Sequence, residues 1–585
     1  MHHEDYYDAG IYEDPLMSVY IGRTSHPNLR ISDCPSTNQA QELKIYLSGQ
    51  VFNDTDNVLS GKEKGESTAS ELVDLYRKNG GEWFEKLNGW FCGVIIDCRH
   101  KKISLFNDRY GMHRVFVYES KDGYYFSSEA KAVLAIMPEV GFDPVGLGEL
   151  LTCGCTIGSN SLYKDIGILP QGVVWTFIGG ELKSKRNYFD LKTWTHQDHL
   201  NENDYLSRFL ELFDRTVKKY SAGNLPVGIS LTGGLDTRMV MACLKKRGRE
   251  FPCYTFGSMY RDTFDVKVAR EIAKACGQPY SVLVLGDHFL QNFPLYMEKA
   301  IQISDGYIGM AGAAELCMNG VARGIAPVRL TGNYGSELLR GTRAFKFGLP
   351  SGDFVSPELL PFLSQARENF QDLASTDPLT FALFRQAPLQ GHGRLTIENS
   401  QLQPRTPFMD NDLAQLAYQA PQTMRAGNKL SLAVIARYHP DLLSIPTDRG
   451  LLGEGSNFRT LIRRFERELL FKAEYWSSHG MPAWLSAISG SELRKFLQNK
   501  FIGQHKFQHF RSWTQEGCLA EYLNETLYQS VKDLPELFIK PRVQTMVDEH
   551  LSGRNNYLNE MDMLLTLGLA RRNLLKTPHN RPLDN

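Results

Sequence analysis

The stretch Ser230-Leu231-Thr232-Gly233-Gly234-Leu235-Asp236-Thr237 constrains this chain more than any other. It follows an apolar run, 226–231, and precedes a helical pattern reaching residue 246, so two glycines sit where a strand turns into a helix. Such a turn lets backbone amides, the Thr232 and Thr237 hydroxyls and a helix N-terminus converge on an anion, with the Asp236 carboxylate placed to hold a magnesium ion beside a phosphate. Taken alone, the same residues also suit a plain strand-to-helix turn capped by Thr or Asp. The rhythm continues with a strand over 252–256, a helix over 264–276 and a strand over 280–285. That alternation predicts a parallel, doubly wound α/β sheet with its ligand at the carboxyl ends of the strands.

The chain before this motif reads differently. Short β-rich runs at 45–47, 91–96, 103–106, 115–118, 124–127 and 173–177, interrupted by helical stretches at 70–78 and 129–134, predict an α+β layered domain. A polar segment, 195–204, separates the two patterns, so we expect domains at 1–200 and 201–585, the second opening with an amphipathic helix over 205–220. Beyond about residue 404 the text becomes largely helical, and 459–477 carries an apolar stripe opposite Arg459, Arg463, Arg464 and Arg467, a face that most simply is solvated.

Composition excludes several classes. With 65 Lys+Arg against 66 Asp+Glu, the net charge of -1 argues against a nucleic-acid partner. No run approaches the roughly 18 apolar residues of a membrane span, and the acidic, aromatic start lacks the layout of a secretory signal. Ten scattered cysteines, among them Cys153-Gly154-Cys155 with no second pair at zinc spacing, read as reduced buried thiols, which implies a cytoplasmic protein.

Thr232-Gly233-Gly234-Leu235-Asp236-Thr237 resembles the Ser-Gly-Gly-Leu-Asp-Ser pyrophosphate loop of the asparagine synthetase B family. Further matches follow in order. Tyr254-Thr255-Phe256-Gly257 with Asp265 resembles that family's second strand and helix, which implies adenine near Phe256 and Gly257. Leu330-Thr331-Gly332-Asn333-Tyr334-Gly335-Ser336-Glu337 is similar to its third motif, closest to the Gly-Tyr-Gly-Ser-Asp form of β-lactam synthetase with Asn333 inserted. Arg405-Thr406-Pro407-Phe408-Met409-Asp410 matches its Arg-x-Pro-Phe-Leu-Asp segment. The resemblance implies a PP-loop synthetase domain that uses ATP and Mg2+ to convert a carboxylate into an acyl-adenylate, which an amine then attacks. It also assigns residues: Ser230, Thr232, Gly233, Gly234, Asp236, Thr237, Phe256, Gly257, Thr331 and Gly332 to the nucleotide, Asp236 and Glu337 to the metal. Tyr334 with Glu398 would form the base, and Arg449 the cation that offsets negative charge in the transition state.

The first half resembles the family's glutamine-hydrolysing domain, an Ntn-hydrolase-like layered fold. The carriers are Ser48-Gly49-Gln50-Val51-Phe52-Asn53, Leu87-Asn88-Gly89-Trp90-Phe91, Asn107-Asp108-Arg109-Tyr110-Gly111, Ser127-Ser128-Glu129-Ala130-Lys131-Ala132 and Leu169-Pro170-Gln171-Gly172. The chemistry departs from the pattern. The family's nucleophile is a cysteine at position 2, where this chain has Met1-His2-His3 and a first cysteine at Cys34; its oxyanion asparagine reads Ser48, and the acid before Glu71 reads Ala69. These losses imply a degenerate amidotransferase. The acceptor is then expected to be an amine on the substrate itself, a peptide or small molecule closed to a lactam, as in β-lactam synthetases and lasso-peptide cyclases, with a precursor peptide and leader protease as partners. The alternatives are amidation of a small acid or sugar acid with ammonia, and a nucleotide-binding regulator without turnover.

Overall fold

A computed structural model describes residues 1–15, 17–26, 36–37, 42–52, 69–244, 248–350, 353–450, 467, 472, 474, 502–515 and 517–575. Asn53, Cys34 and the expected basic face at Arg459, Arg463 and Arg464 lie outside the described residues.

The alternation after residue 225 does build a parallel sheet. Its five strands lie in the order Tyr280–Val284, Cys253–Gly257, Val227–Ser230, Val328–Leu330, Gln403–Arg405, all parallel. Apolar side chains drive the central three, which are almost wholly buried, as parallel strands covered on both faces must be. The chain starts in the middle, runs outward on one side and then crosses back, so the strand order reverses between Val227–Ser230 and Val328–Leu330. A crevice opens at such a reversal, at the carboxyl ends of the two strands.

Helices close the domain for local reasons. Glu202–Ser221 is capped by Asn201, whose side chain accepts from Asp204 N at 3.0 Å, and buries Tyr205, Phe209, Phe213 and Val217 at four-residue spacing. Thr263 caps Phe264–Ala275, and Asp410 caps Asn411–Tyr418.

In the first half, Glu181–Asn187, Val173–Ile178, Lys102–Asn107, Gly89–Asp97, Leu43–Val51 and Ser36–Thr37 form a six-stranded antiparallel sheet. Gly123–Ser127, Phe116–Ser120 and Gly167–Ile168 form a second, three-stranded sheet. Every strand expected there is present. A hairpin, Asp8–Asp14 with Val19–Ser25, was not expected, because its acidic and aromatic residues alternate in exposure without a clean apolar face.

The two halves share their cores. One apolar cluster joins Phe116, Leu147 and Leu162 to Leu283, Leu527 and Leu564, and another joins Phe52, Tyr110 and Trp194 to Phe213, Leu330 and Phe384. Polar residues weld the same seam. The edge strand Gln403-Pro404-Arg405 is poor strand text, yet all three residues are buried because the first half covers them. Arg405 Nε donates to Gln50 Oε1 at 2.7 Å, Gln50 Nε2 donates to the Pro404 carbonyl, and Asn88 Nδ2 donates to Asp410 Oδ2 at 2.8 Å. The segment expected as a linker is a short turn between helices Lys192–Thr195 and Glu202–Ser221, its Leu200 amide held by the Gln419 carbonyl.

Candidate active site

A pocket of about 260 Å3 occupies the crevice at the strand-order reversal. Ser230, Thr232, Gly234, Asp236 and Thr237 line it from one strand end, Arg329, Gly332 and Asn333 from the next, and Thr255, Phe256 and Asp265 from the third. Glu315, Arg394, Glu398 and Phe507 complete the wall.

The glycine loop is tightly braced. The Thr232 and Thr237 hydroxyls meet at 3.0 Å, so both face one spot at the start of helix Leu235–Leu244. Gly233 does not line the pocket. Its amide donates to Asp265 Oδ1 at 2.8 Å, and a Cβ there would lie 2.8 Å from Asp448 Cβ. Buried Arg238 ties the Gly233 carbonyl to the carbonyls of Leu442 and Pro446. The third motif interlocks with this loop: a Cβ on Gly332 would sit 2.5 Å from the Thr237 nitrogen, and one on Gly335 2.5 Å from Asp236 Cγ. Glycine is required at both positions by close approach.

Asp236 lines the pocket and accepts from Ser336 Oγ at 3.1 Å, with Arg340 Nη2 at 3.5 Å. Burial raises its pKa above the ordinary 3.8, while Arg340 and Ser336 oppose the rise. Glu337 does not line the pocket; it accepts from Gln386 Nε2 at 3.1 Å, and Gln386 Oε1 in turn accepts from the amides of Ala344 and Phe345. Burial and then nearby Asp236 raise the Glu337 pKa. Among the described residues no three His, Cys, Asp or Glu side chains gather as a metal cluster. The donor set suits a magnesium ion that takes one carboxylate, Asp236, with Glu337 behind it, and fills its shell with phosphate oxygens and water.

Four other expected positions need correction. Gly257 is pressed on the neighbouring strand, where a Cβ would meet Val282 Cγ1 at 2.6 Å, and does not line the pocket, whereas Phe256 does. Thr331 is buried, its amide held by the Arg405 carbonyl and its hydroxyl accepting from Asn333 N at 3.1 Å. Tyr334 holds a left-handed backbone, φ 67°, and packs edge-on to Trp90 beside Gly391, outside the lining. Burial, then Glu398 and Glu337, push its hydroxyl pKa far above 10. No hydrogen bond joins Tyr334 to Glu398 among the described residues, so the expected base pair is not assembled in this conformation. Arg449 is exposed on a turn; it lies near Asp265 but does not line the pocket. Arg467, expected on a solvated face, donates to the Thr447 and Asp448 carbonyls and braces that turn.

The buried cation within the pocket is Arg329. Its Nη1 donates to Asn319 Oδ1 at 2.9 Å and Glu398 Oε1 at 3.1 Å, its Nη2 to Ser230 Oγ at 3.0 Å, and its guanidinium lies 5.2 Å from the Phe256 ring centre. Glu398 is buried, and burial raises its pKa against the pull of Arg329. The signal for Arg329 was a lone arginine inside the apolar strand Val328-Arg329-Leu330, a position that burial on both sheet faces makes costly without a purpose. Arg394, more exposed, pairs with Glu315 at 3.5 Å on the opposite wall.

The motif residues of the first half surround a second cavity of about 220 Å3, lined by Ser48, Gly49, Gln50 and Glu129 on one side and His392, Asn399 and Ser400 on the other. No cysteine lines it among the described residues.

Residues 8–189 match the glutamine amidotransferase domain model, and residues 208–390 match the asparagine synthase model. The chain thus pairs a glutamine amidotransferase domain with an asparagine synthase domain. It is 25% identical over 258 residues to the glutamine-hydrolysing asparagine synthetase of Bos taurus, a match covering 40% of this chain and 41% of that one. The Homo sapiens enzyme of the same description is 27% identical over 238 residues, covering 38% and 40%. Glutamine-hydrolysing asparagine synthetase 1 of Bacillus subtilis (strain 168) is 19% identical over 291 residues, covering 49% and 46%. The chain thus spans less than half the length of these curated relatives. The family match over 208–390 includes the glycine loop and the Gly332–Glu337 motif that interlocks with it.

Proposed function

We propose that the protein is an ATP- and Mg2+-dependent ligase that activates a carboxylate as an acyl-adenylate, releasing pyrophosphate, and joins it to an amine. The observation that carries this reading is the pocket at the strand-order reversal, where paired hydroxyls of Thr232 and Thr237, Gly234 and the Asp236 carboxylate converge inside the asparagine synthase match. In this reading Thr232 and Thr237 bind the pyrophosphate oxygens, and Phe256 with Phe507 offers an apolar wall for the base. Magnesium, when bound, neutralises phosphate charge. Asp236 would hold it, in place of its pairing with Arg340. Arg329 holds Glu398 in place at the floor.

The acceptor we favour is an amine carried by a peptide or small-molecule substrate, giving a lactam. Support comes from the cavity between the halves, whose described lining has no cysteine to hydrolyse glutamine. A second reading, amidation of a small acid with ammonia, is favoured by the likeness to asparagine synthetases. Pyrophosphate release from MgATP, measured with ammonium or with a panel of peptides and small acids, separates them. Peptide-dependent release without ammonium supports the first, ammonium-dependent release with a small acid supports the second, and no release with any pair removes both.

A further inference from the structure

A nine-residue π-helical turn, Ala382–Gln390, stands behind Glu337, with Pro388 inside it and so one amide missing from its ladder. Such turns are rare, occur mostly as single-turn bulges and are frequent at functional sites. The first half grips this one. The buried Phe384 ring centre lies 5.0 Å from that of Tyr110, 5.8 Å from Phe189 and 6.0 Å from Trp194, and Arg114 Nη2 donates to the Pro388 carbonyl at 3.5 Å. Two residues on, Gln386 is buried and uses all four positions of its amide. Its Nε2 donates to Glu337 Oε1 at 3.1 Å and to the Thr342 carbonyl at 3.4 Å, and its Oε1 accepts from the amides of Ala344 at 2.7 Å and Phe345 at 3.0 Å. The side chain cannot turn over without leaving these groups unmet.

Glu337 follows Ser336, whose hydroxyl donates to Asp236 Oδ2 at 3.1 Å, so Gln386 holds the second of two neighbouring acids. The kind of partner matters. Asp236 has a cation, Arg340, at 3.5 Å, whereas Glu337 forms no ion pair among the described residues. A neutral amide fixes the direction of a carboxylate and leaves its charge in place for a metal ion. We propose that Gln386 is a positioning residue for the acids of the magnesium site: gripped by the first half, it fixes Glu337 beside Asp236. The inference rests on the ligase reading for the use made of magnesium, and it gives the first half a part in the reaction that needs no glutamine.

The test is calorimetric ATP binding to the full chain, with and without magnesium, which requires no turnover. In wild type magnesium should tighten ATP binding. In Gln386→Met, which keeps the length of the side chain and removes its hydrogen bonds, that increment should fall roughly tenfold, equal to about 1.4 kcal/mol, with magnesium-free ATP binding within about twofold of wild type. Trp194→Leu, which slackens the grip on Phe384, should lose about threefold. A double-mutant cycle separates positioning from packing, because Gln386→Met added to Glu337→Gln should cost nothing further if Gln386 acts through Glu337. The proposal is overturned if wild type shows no magnesium increment, if folded Gln386→Met keeps it in full, or if the two losses add; a full increment in Trp194→Leu overturns the grip by the first half. Should Gln386→Met fail to fold, Gln386→Glu takes its place in the cycle, since it keeps the acceptor for Ala344 and Phe345 and gives up the donor to Glu337. A Gln386-dependent increment in a chain that releases no pyrophosphate with any acid and amine removes the ligase reading and leaves this assignment standing.

Discussion

The pocket at the parallel sheet and the cavity between the halves share a wall, the helix His392–Gln401, which turns Arg394 and Glu398 to one and His392 and Asn399 to the other. They differ in how charge is balanced. Around the pocket, Arg329 has Glu398, Arg340 has Asp236 and Arg394 has Glu315, so these three cations are each held by a carboxylate that a ligand can replace. In the cavity Arg114 has no carboxylate within ion-pair distance among the described residues and lies instead against the Tyr307 ring, 4.9 Å from its centre. A pocket whose charges pair internally stays folded while empty and exchanges partners on binding.

The largest break in this comparison is Asp236→Ala. It removes the carboxylate that faces magnesium, and substrate-dependent pyrophosphate release should fall at least about 100-fold. The pH profile sharpens the same point. Burial raises the pKa of metal-free Asp236, and only the ionised form holds the metal, so at sub-saturating magnesium turnover should be lost as pH falls through a value above the ordinary 3.8 and recover as pH rises through it. Arg329→Met should cost about 3–5 kcal/mol of stability by urea denaturation, since Glu398 is left buried without its partner. Gly335→Ala pushes a methyl against Asp236; a loss of about 1–3 kcal/mol is expected, together with weaker ATP binding by calorimetry. Arg449→Ala, on an exposed turn outside the lining, should change turnover by less than about threefold. A large loss there would return Arg449 to the reaction and weaken the case for Arg329.

The frame of both halves was legible because strand and helix periods are local. Runs such as Gly89–Asp97 and Val227–Ser230 announce themselves by apolar residues between turns. The glycine loop was legible too, since its backbone needs fix residue types at fixed spacing. What escaped was partnership across distance. Sequence places Glu337 near Asp236 but does not say that Gln386, far along the chain, claims it. Likewise Tyr334 and Glu398 share a neighbourhood, yet Arg329 takes the carboxylate. Gln403-Pro404-Arg405 is unreadable as a strand until Gln50 is known to cover it. Each of these misses is a polar residue whose role is set by a neighbour 49 or more positions away along the chain.

The shared core also has a consequence for synthesis on the ribosome. Phe116, Leu147 and Leu162 emerge hundreds of residues before their apolar neighbours Leu527 and Leu564. At roughly 5–20 residues per second, the first half must keep that surface covered for tens of seconds before its partner helices arrive. Chaperone dependence, and aggregation of chains truncated before residue 510, follow from where this one cluster draws its side chains.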